Sequence, residues 1–172
     1  MRMLRWMWAP VTVLGLIPWG IWRAWDGRPL AWGVPQWFGA WLLLNGLALG
    51  GWCAWLLTTA GQGTPFPLDP PRRLVAMGPY QYVRNPMVWA AWLILAGEAL
   101  LLRSAALGAY AAFLVALSWC LVRRVEEPAL RRRFGPAYDQ YAQGVPRWLP
   151  RRRPWGPCGG GTSAPISGAP LT

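Results

Sequence analysis

Long uncharged stretches alternate with short charged ones along this chain. Among the stretches without any charged side chain, four are rich in apolar residues and cover residues 6–22, 29–68, 85–97 and 104–122. A helix of about 20 apolar residues is long enough to cross the hydrocarbon core of a bilayer. The pattern therefore predicts an all-α integral membrane protein whose four transmembrane helices cover about residues 4–24, 36–59, 86–102 and 104–123.

The connections between these helices differ greatly in length. Residues 59–84 read TAGQGTPFPLDPPRRLVAMGPYQYVR, and the prolines at positions 65, 67, 70 and 71 of this long loop favour an extended, stiff path. Residues 101–106 read LLRSAA, which is so short that the third and fourth helices must form an antiparallel hairpin. We therefore expect the residues that enter the third helix to lie close to those that leave the fourth.

The charged stretch after the fourth helix, residues 122–150, reads VRRVEEPALRRRFGPAYDQYAQGVPRWLP. Its spaced apolar residues predict an extension of the fourth helix and then a short surface helix. Residues 1–150 are expected to form one domain, whereas the Gly- and Pro-rich residues 151–172 are expected to be a disordered tail. A chain shortened after Leu149 or Pro150 is expected to keep its fold and its ligand binding.

Charge refines this picture by fixing an orientation. The net charge is +11, and every basic residue is an arginine. If the N-terminus lies in the cytoplasm, all of these arginines except Arg23, Arg28 and Arg103 lie on the cytoplasmic side. This asymmetry is typical of membrane proteins, and it predicts that both termini are cytoplasmic and that no nucleic acid is bound.

The absence of histidine and lysine from the sequence narrows the possible chemistry. Without them the chain cannot activate a nucleophile with histidine, form a lysine Schiff base or use a phosphate-loop lysine. Three scattered cysteines do not make a zinc site, so no metal is expected. Any reaction must depend on Arg, Glu, Asp, Tyr, Asn and backbone groups.

Two polar features stand out at the predicted cytoplasmic end of the hairpin. The first is GPYQYVRNPM, residues 78–87. Pro86 at the start of a helix leaves neighbouring backbone N–H groups free to bind an anion. Arg84 offers a forked, bidentate contact to the same anion. A lone arginine at this place also snorkels to lipid headgroups. The second is the pair Glu126 and Glu127, which suits either an ammonium or ribose ligand or a solvated cluster with nearby arginines. The residues alone leave both alternatives open.

A further pair of features lies in the second predicted helix. Asn45 is expected to form a hydrogen bond to another helix, and Gly46 and Gly50 form a GxxxG motif that is typical of close helix packing. Both are interpreted as structural.

The ordered combination of GPYQYVRNPM, the two glutamates about forty residues later, and FGPAYDQYAQGVPRWLP resembles the isoprenylcysteine carboxyl methyltransferase and phospholipid methyltransferase superfamily. The resemblance covers roughly residues 61–150, and small bacterial members are the most similar. The family signature Arg-His-Pro-x-Tyr matches at Arg84 and Pro86, while Asn85 and Val88 stand at the histidine and tyrosine positions. Asn85 keeps a hydrogen-bond donor and an acceptor there.

The resemblance implies a bacterial cytoplasmic-membrane enzyme that binds S-adenosylmethionine in a cytoplasmic pocket, formed by the loop before helix 3 and the segment after helix 4. It implies methyl transfer to a carboxylate, thiol or amine of a small amphiphilic or lipid-like substrate. Arg84 and Glu127 are the implied catalytic residues. The implied cofactor-binding residues are Gly78, Pro79, Tyr80, Tyr82, Val83, Arg84, Asn85, Pro86, Glu126 and Glu127.

Two other functions fit the same scaffold. One is an NADPH-dependent membrane reductase of a lipid substrate, because related small membrane enzymes carry a similar C-terminal region. The other is a non-catalytic membrane subunit that lost activity together with the family's histidine and tyrosine.

Overall fold

A computed structural model describes residues 8–27, 32–62 and 73–156, and within these ranges the chain is helical without a strand. Helix α1 consists of Trp8–Val11, a π-helical segment Thr12–Leu16 and Ile17–Trp25. The other elements are α2 (Val34–Thr59), a 3₁₀ helix (Gly78–Gln81), α3 (Pro86–Leu101), α4 (Ala105–Leu121, continued by the π-helical Val122–Glu126 and by Glu127–Phe134) and α5 (Pro136–Gly144).

Two of the described helices are long and apolar enough to cross a membrane, namely Val34–Thr59 and the continuous helix Ala105–Phe134. Helix α3 is apolar but has only 16 residues. Large apolar side chains of α2 are exposed, among them Trp37 at 66% and Leu44 at 66%. Exposed apolar surface of this extent is typical of a face that contacts lipid. The all-α class is thus confirmed for the described residues, and two helices have the length and composition to span a membrane, while the four-helix assignment stays a prediction.

The chain divides into two compact units. The first, which we call the membrane unit, consists of residues 1–50 and 88–120, and the second, the polar unit, consists of residues 51–87 and 121–172. The predicted site residues 78–86, 126 and 127 all lie in the polar unit.

Within the membrane unit, glycines let α2 and α3 approach each other closely. A Cβ atom added to Gly46 would lie 2.9 Å from the carbonyl oxygen of Ala90, and one added to Gly97 would lie 2.7 Å from that of Gly39. Real side chains do not tolerate such distances, so glycine is required where the two backbones cross. This confirms the packing interpretation for Gly46; a Cβ at Gly50 would meet Ala90 at an ordinary 3.5 Å.

The expectation of an interhelical hydrogen bond from Asn45 is wrong. Its side-chain amide donates to the carbonyl oxygen of Trp41 in the same helix, at 2.7 Å, and the residue is exposed. The local acceptor one turn earlier satisfies the amide without a second helix.

The polar unit has a small aromatic core. Leu74, Tyr138, Tyr141 and Val145 are buried together, and residues packed against them include Leu130, Phe134 and Trp155. Gly135, with a φ of +54°, separates the extension of α4 from α5. The predicted helix extension and short surface helix are both present.

Residues 151–155, which we call the C-terminal strap, bind to the polar unit through backbone hydrogen bonds and a ring contact. The backbone N–H of Arg151 donates to the carbonyl oxygen of Tyr82 at 2.9 Å, and that of Trp155 donates to Gln81 at 3.1 Å. The indole of Trp155 meets the ring of Tyr141 edge-on, at 5.5 Å between centroids. The predicted domain boundary at residue 150 therefore falls inside this set of contacts, and residues 157–172 of the predicted tail lie outside the described residues.

Candidate functional site

The first wall of the candidate site is the 3₁₀ helix Gly78–Gln81. Gly78 has a φ of +57°, and a Cβ atom there would lie 2.9 Å from a methyl carbon of Leu56. Pro79 sets the first helical φ angle, and both Pro79 and Tyr80 are buried. The hydroxyl of Tyr141 donates to the carbonyl oxygen of Tyr80 at 2.8 Å. The sequence Gly-Pro-Tyr thus forms a tight turn, and the hydrogen bond from Tyr141 fixes its backbone.

The residues that follow this turn are fixed by the segment after α5. The backbone N–H of Arg84 donates to the carbonyl oxygen of Pro146 at 3.0 Å. The side-chain amide of Asn85 donates to the carbonyl oxygen of Arg147 at 3.2 Å. Pro86 is the first residue of α3, as predicted, and is fully buried. Asn85 therefore acts as a donor between two chain segments.

A buried carboxylate joins these segments. Glu127 is only 5% exposed. The guanidinium of Arg147 donates to it in a fork, from Nε to Oε1 at 2.6 Å and from Nη2 to Oε2 at 2.5 Å. Nη1 of Arg84 lies 3.0 Å from Oε1 of the same carboxylate. The hydrogen bond to Glu127 raises the pKa of the Arg147 guanidinium above its ordinary value. One carboxylate is thus shared by two arginines.

The π-helical segment Val122–Glu126 explains why Glu127 faces inward. In this segment the N–H of Glu127 donates to the carbonyl oxygen of Val122, five residues earlier. Five-residue spacing places Val122 and Glu127 on nearly the same face, and both are buried. Glu126, in contrast, is exposed. Both glutamates were predicted as cofactor-binding residues, and Glu127 also as catalytic; the structure gives the two side chains different surroundings.

Arg147 was not identified from the sequence. It lies in GVPRWLP, where it is the single charged residue between apolar ones. A lone charge in such a setting tends to have a buried partner, and this was the available signal. Because Glu127 lies 20 residues before Arg147, the sequence does not show that these two residues pair.

Tyrosines form the remaining wall. Tyr138 and Tyr141 are buried, with ring centroids 6.2 Å apart. Burial raises the pKa of the Tyr80 and Tyr141 hydroxyls above the ordinary value of 10.0. Tyr82, by contrast, is 38% exposed.

A shallow pocket of about 240 Å³ opens beside the ion pairs. It is lined by Arg84, Arg131, Asp139, Ala142, Gln143 and Arg147. Arg131 and Asp139 pair at 3.1 Å, and both side chains are more than half exposed. The pocket is therefore polar and rich in arginine.

Most of the predicted site residues lie around this cluster. The segment 78–86 provides one side and Glu127 the other, whereas Tyr82 and Glu126 face outward. Within the described ranges, no group of three or more His, Cys, Asp or Glu side chains could hold a metal ion.

Comparison with known protein families gives a match over the central part of the chain. A family model described as phospholipid methyltransferase matches residues 34–137, more than half of the chain. No curated protein and no solved structure matches the chain. The matched range contains Arg84 and Glu127 and ends before Arg147. The chain belongs to the phospholipid methyltransferase family, whose membership implies membrane methyltransferase activity and whose enzymes generally use S-adenosylmethionine.

Proposed function

We propose that this protein uses S-adenosylmethionine to methylate a carboxylate, thiol or amine of a small amphiphilic or lipid-like substrate. Four helices hold it in the bacterial cytoplasmic membrane, with both termini in the cytoplasm. The observation that carries the proposal is the buried pairing of Glu127 with Arg84 and Arg147, because it joins the two segments that the cofactor site needs.

The residues present fit the cofactor. No described residue accepts a hydrogen bond from the buried Nε of Arg84, so this donor suits a carboxylate such as that of the amino-acid end of S-adenosylmethionine. Glu126 is an exposed residue, yet desolvation and the neighbouring Glu127 raise the pKa of its carboxyl group; this carboxylate suits the ammonium group or the ribose hydroxyls. Residues 78–86 frame the site with aromatic rings and backbone groups. When bound, S-adenosylmethionine supplies a methyl group on a sulfonium.

The protein's own part in such a reaction is positioning. Transfer from a sulfonium is an in-line displacement, so holding the reactants in the correct geometry supplies much of the acceleration. An ionised nucleophile needs no general base, which agrees with the absence of histidine. Arg84 is the proposed cofactor contact. Both carboxylate oxygens of Glu127 bind arginine side chains, so we assign Glu127 as a positioning residue that orients Arg84.

The test begins with binding. The full-length protein in a non-ionic detergent should bind S-adenosylhomocysteine in calorimetric titration and should not bind NADPH. Transfer of labelled methyl groups to a lipid extract should follow. NADPH binding without S-adenosylhomocysteine binding would indicate the reductase alternative. Binding of neither, with no methyl transfer, would indicate a non-catalytic subunit.

Variants of Arg84 test the site itself. Arg84→Ala should weaken S-adenosylhomocysteine binding by about 1.5 to 3 kcal/mol, the usual value of a hydrogen bond to a charged group. Arg84→Lys should restore only part of it, because an ammonium lacks the planar fork. Arg132→Ala and Arg132→Lys are the matched controls, since Arg132 is an exposed arginine outside the pocket lining. Equal affinities in folded Arg84 and Arg132 variants would reject the proposed contact.

A further inference from the structure

We propose that the C-terminal strap binds an anionic lipid surface through its exposed arginines. The contact residues are Leu149, Arg152 and Arg153, which we call the basic surface. This inference concerns the charge of the lipid surface around the protein and not the methylated substrate. It does not depend on the proposed function.

The strap has a bound side and an exposed side. The side chain of Arg151 donates from Nη1 to the carbonyl oxygen of Gly144 at 2.5 Å. The indole of Trp155 lies directly against the same glycine, where a Cβ atom would collide with it. Arg152 and Arg153 lie between these two anchors and are exposed. The strap is therefore held at both ends and presents two guanidinium groups to its surroundings.

These two arginines carry positive charge that the polar unit does not balance. None of the ion pairs within residues 8–27, 32–62 and 73–156 involves Arg152 or Arg153. Residues 144–156 read GVPRWLPRRRPWG, with four arginines and no acidic residue. A guanidinium can form a forked contact with the oxygens of a phosphate group. The local excess of positive charge therefore fits a surface of anionic headgroups.

Leu149 adds an apolar side chain to this surface. It directly precedes Pro150 and the strap, and it is 77% exposed. A single exposed leucine is ordinary on a protein surface. An exposed leucine next to arginines, however, is the combination by which segments bind at a membrane surface, because the apolar side chain enters the headgroup boundary while the basic ones attract anionic lipids. We therefore assign Leu149 as the apolar contact.

Hydrogen bonds hold the strap near the start of an apolar helix. The backbone N–H of Arg151 donates to the carbonyl oxygen of Tyr82, and Tyr82 lies four residues before Pro86, the first residue of α3. Lipid headgroups lie where an apolar helix enters a membrane. The strap is thus attached to the part of the chain that reaches the membrane surface.

The experiment compares two lipid surfaces. Full-length protein is placed in nanodiscs of phosphatidylcholine alone, or of equal parts phosphatidylcholine and the anionic phosphatidylglycerol. Both faces of each disc have the same composition, so the result does not depend on the orientation of the protein. The measurement is hydrogen–deuterium exchange at the backbone amides of Arg151 and Trp155, which report opening of the strap.

We expect these amides to exchange more slowly in the anionic discs. The slowing should be roughly 25-fold, or about fivefold for each of the two arginines near an anionic surface. About 1 M salt should remove it, because the Debye length then falls to about 3 Å. Equal exchange rates in the two kinds of disc at low salt would overturn the proposal.

The double variant Arg152→Gln with Arg153→Gln should exchange at the same rate in both discs. Its rate in the neutral discs should equal that of wild type; faster exchange there would show a structural role for these side chains and would reject the lipid contact. Arg132→Gln with Arg133→Gln is the matched control. These exposed arginines lie about 16 Å or more beyond Leu121 along a continuous helix, about twice the Debye length at physiological salt.

The control pair should keep the slowing in anionic discs. If both double variants lose it equally, attraction by net charge alone explains the effect and the basic surface is rejected. Leu149→Ser should reduce the slowing without removing it, since the arginines remain. An undiminished effect in Leu149→Ser would reject Leu149 as a lipid contact.

Discussion

At the scale of single residues, Glu127 and Glu126 differ although they are adjacent and chemically identical. Glu127 is buried between two arginines, and Glu126 is exposed. Glu127→Gln removes the negative charge and leaves both guanidinium groups without their partner. We expect it to lower the free energy of unfolding by about 1.5 to 3 kcal/mol.

Glu126→Gln is the matched control, since it removes the same charge from an exposed position. It should not lower stability, because desolvation and the neighbouring Glu127 raise the pKa of the Glu126 carboxyl group and so disfavour its charge. Unfolding of both variants in mixed detergent, followed by tryptophan fluorescence, measures the difference. Equal destabilisation would mean that the Glu127 ion pairs contribute nothing particular to the fold.

Tyr141 gives a prediction for alkaline pH. Burial holds the pKa of its hydroxyl above the ordinary value of 10.0, so the folded protein keeps a proton that the unfolded chain releases. This stabilising contribution is complete below about pH 10 and is lost as the pH rises further, by about 1.4 kcal/mol per pH unit. The chain has no lysine, but burial raises the hydroxyl pKa of Tyr80 and Tyr138 as well, so the contribution of Tyr141 has to be isolated by substitution.

The corresponding substitution is Tyr141→Phe. It should lower stability at about pH 8, because the hydrogen bond to the Tyr80 carbonyl is lost, and it should reduce the fall in stability between about pH 8 and about pH 11. Tyr82→Phe, at an exposed ring, serves as the control. Identical pH profiles for wild type and Tyr141→Phe would contradict the prediction.

At the scale of elements, the C-terminal strap changes the expectation for truncation. Arg151 and Trp155 donate backbone hydrogen bonds to residues 81 and 82, and the Trp155 indole packs on Tyr141. Removal of residues 151–172 should therefore loosen the 3₁₀ helix and lower stability by more than the roughly 1.5 to 3 kcal/mol typical of one buried side chain. Removal of residues 157–172 alone is the control and should keep wild-type stability.

Thermal unfolding and S-adenosylhomocysteine binding measure both truncations. If the shorter chain, which ends at Pro150, is as stable as the one that ends at Gly156, the strap contacts are dispensable. The original expectation that residue 150 is a sufficient end would then stand.

Helices and their connections were predictable because they depend on local pattern. Uncharged length predicted α2, the short connection LLRSAA predicted that α4 follows α3 almost at once, and Pro86 predicted the start of α3. Arg147 was missed, since its lone charge among apolar residues indicates a partner but does not identify Glu127, which lies 20 residues earlier. The choice between Glu126 and Glu127 depends on the rotation of α4, which the π-helical segment changes. A prediction from sequence periodicity treats the helix as regular, so it cannot give the rotation that a π-helical segment introduces.

At the scale of the whole molecule, the arginine distribution predicts the orientation. Reporter fusions after residue 30 and at Arg103 should lie outside, and fusions after residue 70 and at the C-terminus should lie in the cytoplasm. Alkaline phosphatase and green fluorescent protein are complementary reporters for the two sides. A C-terminal fusion found outside would contradict both the orientation and the cytoplasmic site.

The polar unit joins parts of the chain that are far apart in sequence. Asn85 contacts Arg147, 62 residues later, and Tyr80 contacts Tyr141, 61 residues later. Because the ribosome makes the N-terminal parts first, α2 and the long loop emerge before Arg147 and Trp155 exist. The loop therefore lacks its contacts with Tyr141, Arg147 and Trp155 while the first apolar helices enter the membrane. Biogenesis thus completes the candidate site last, after translation has passed residue 155.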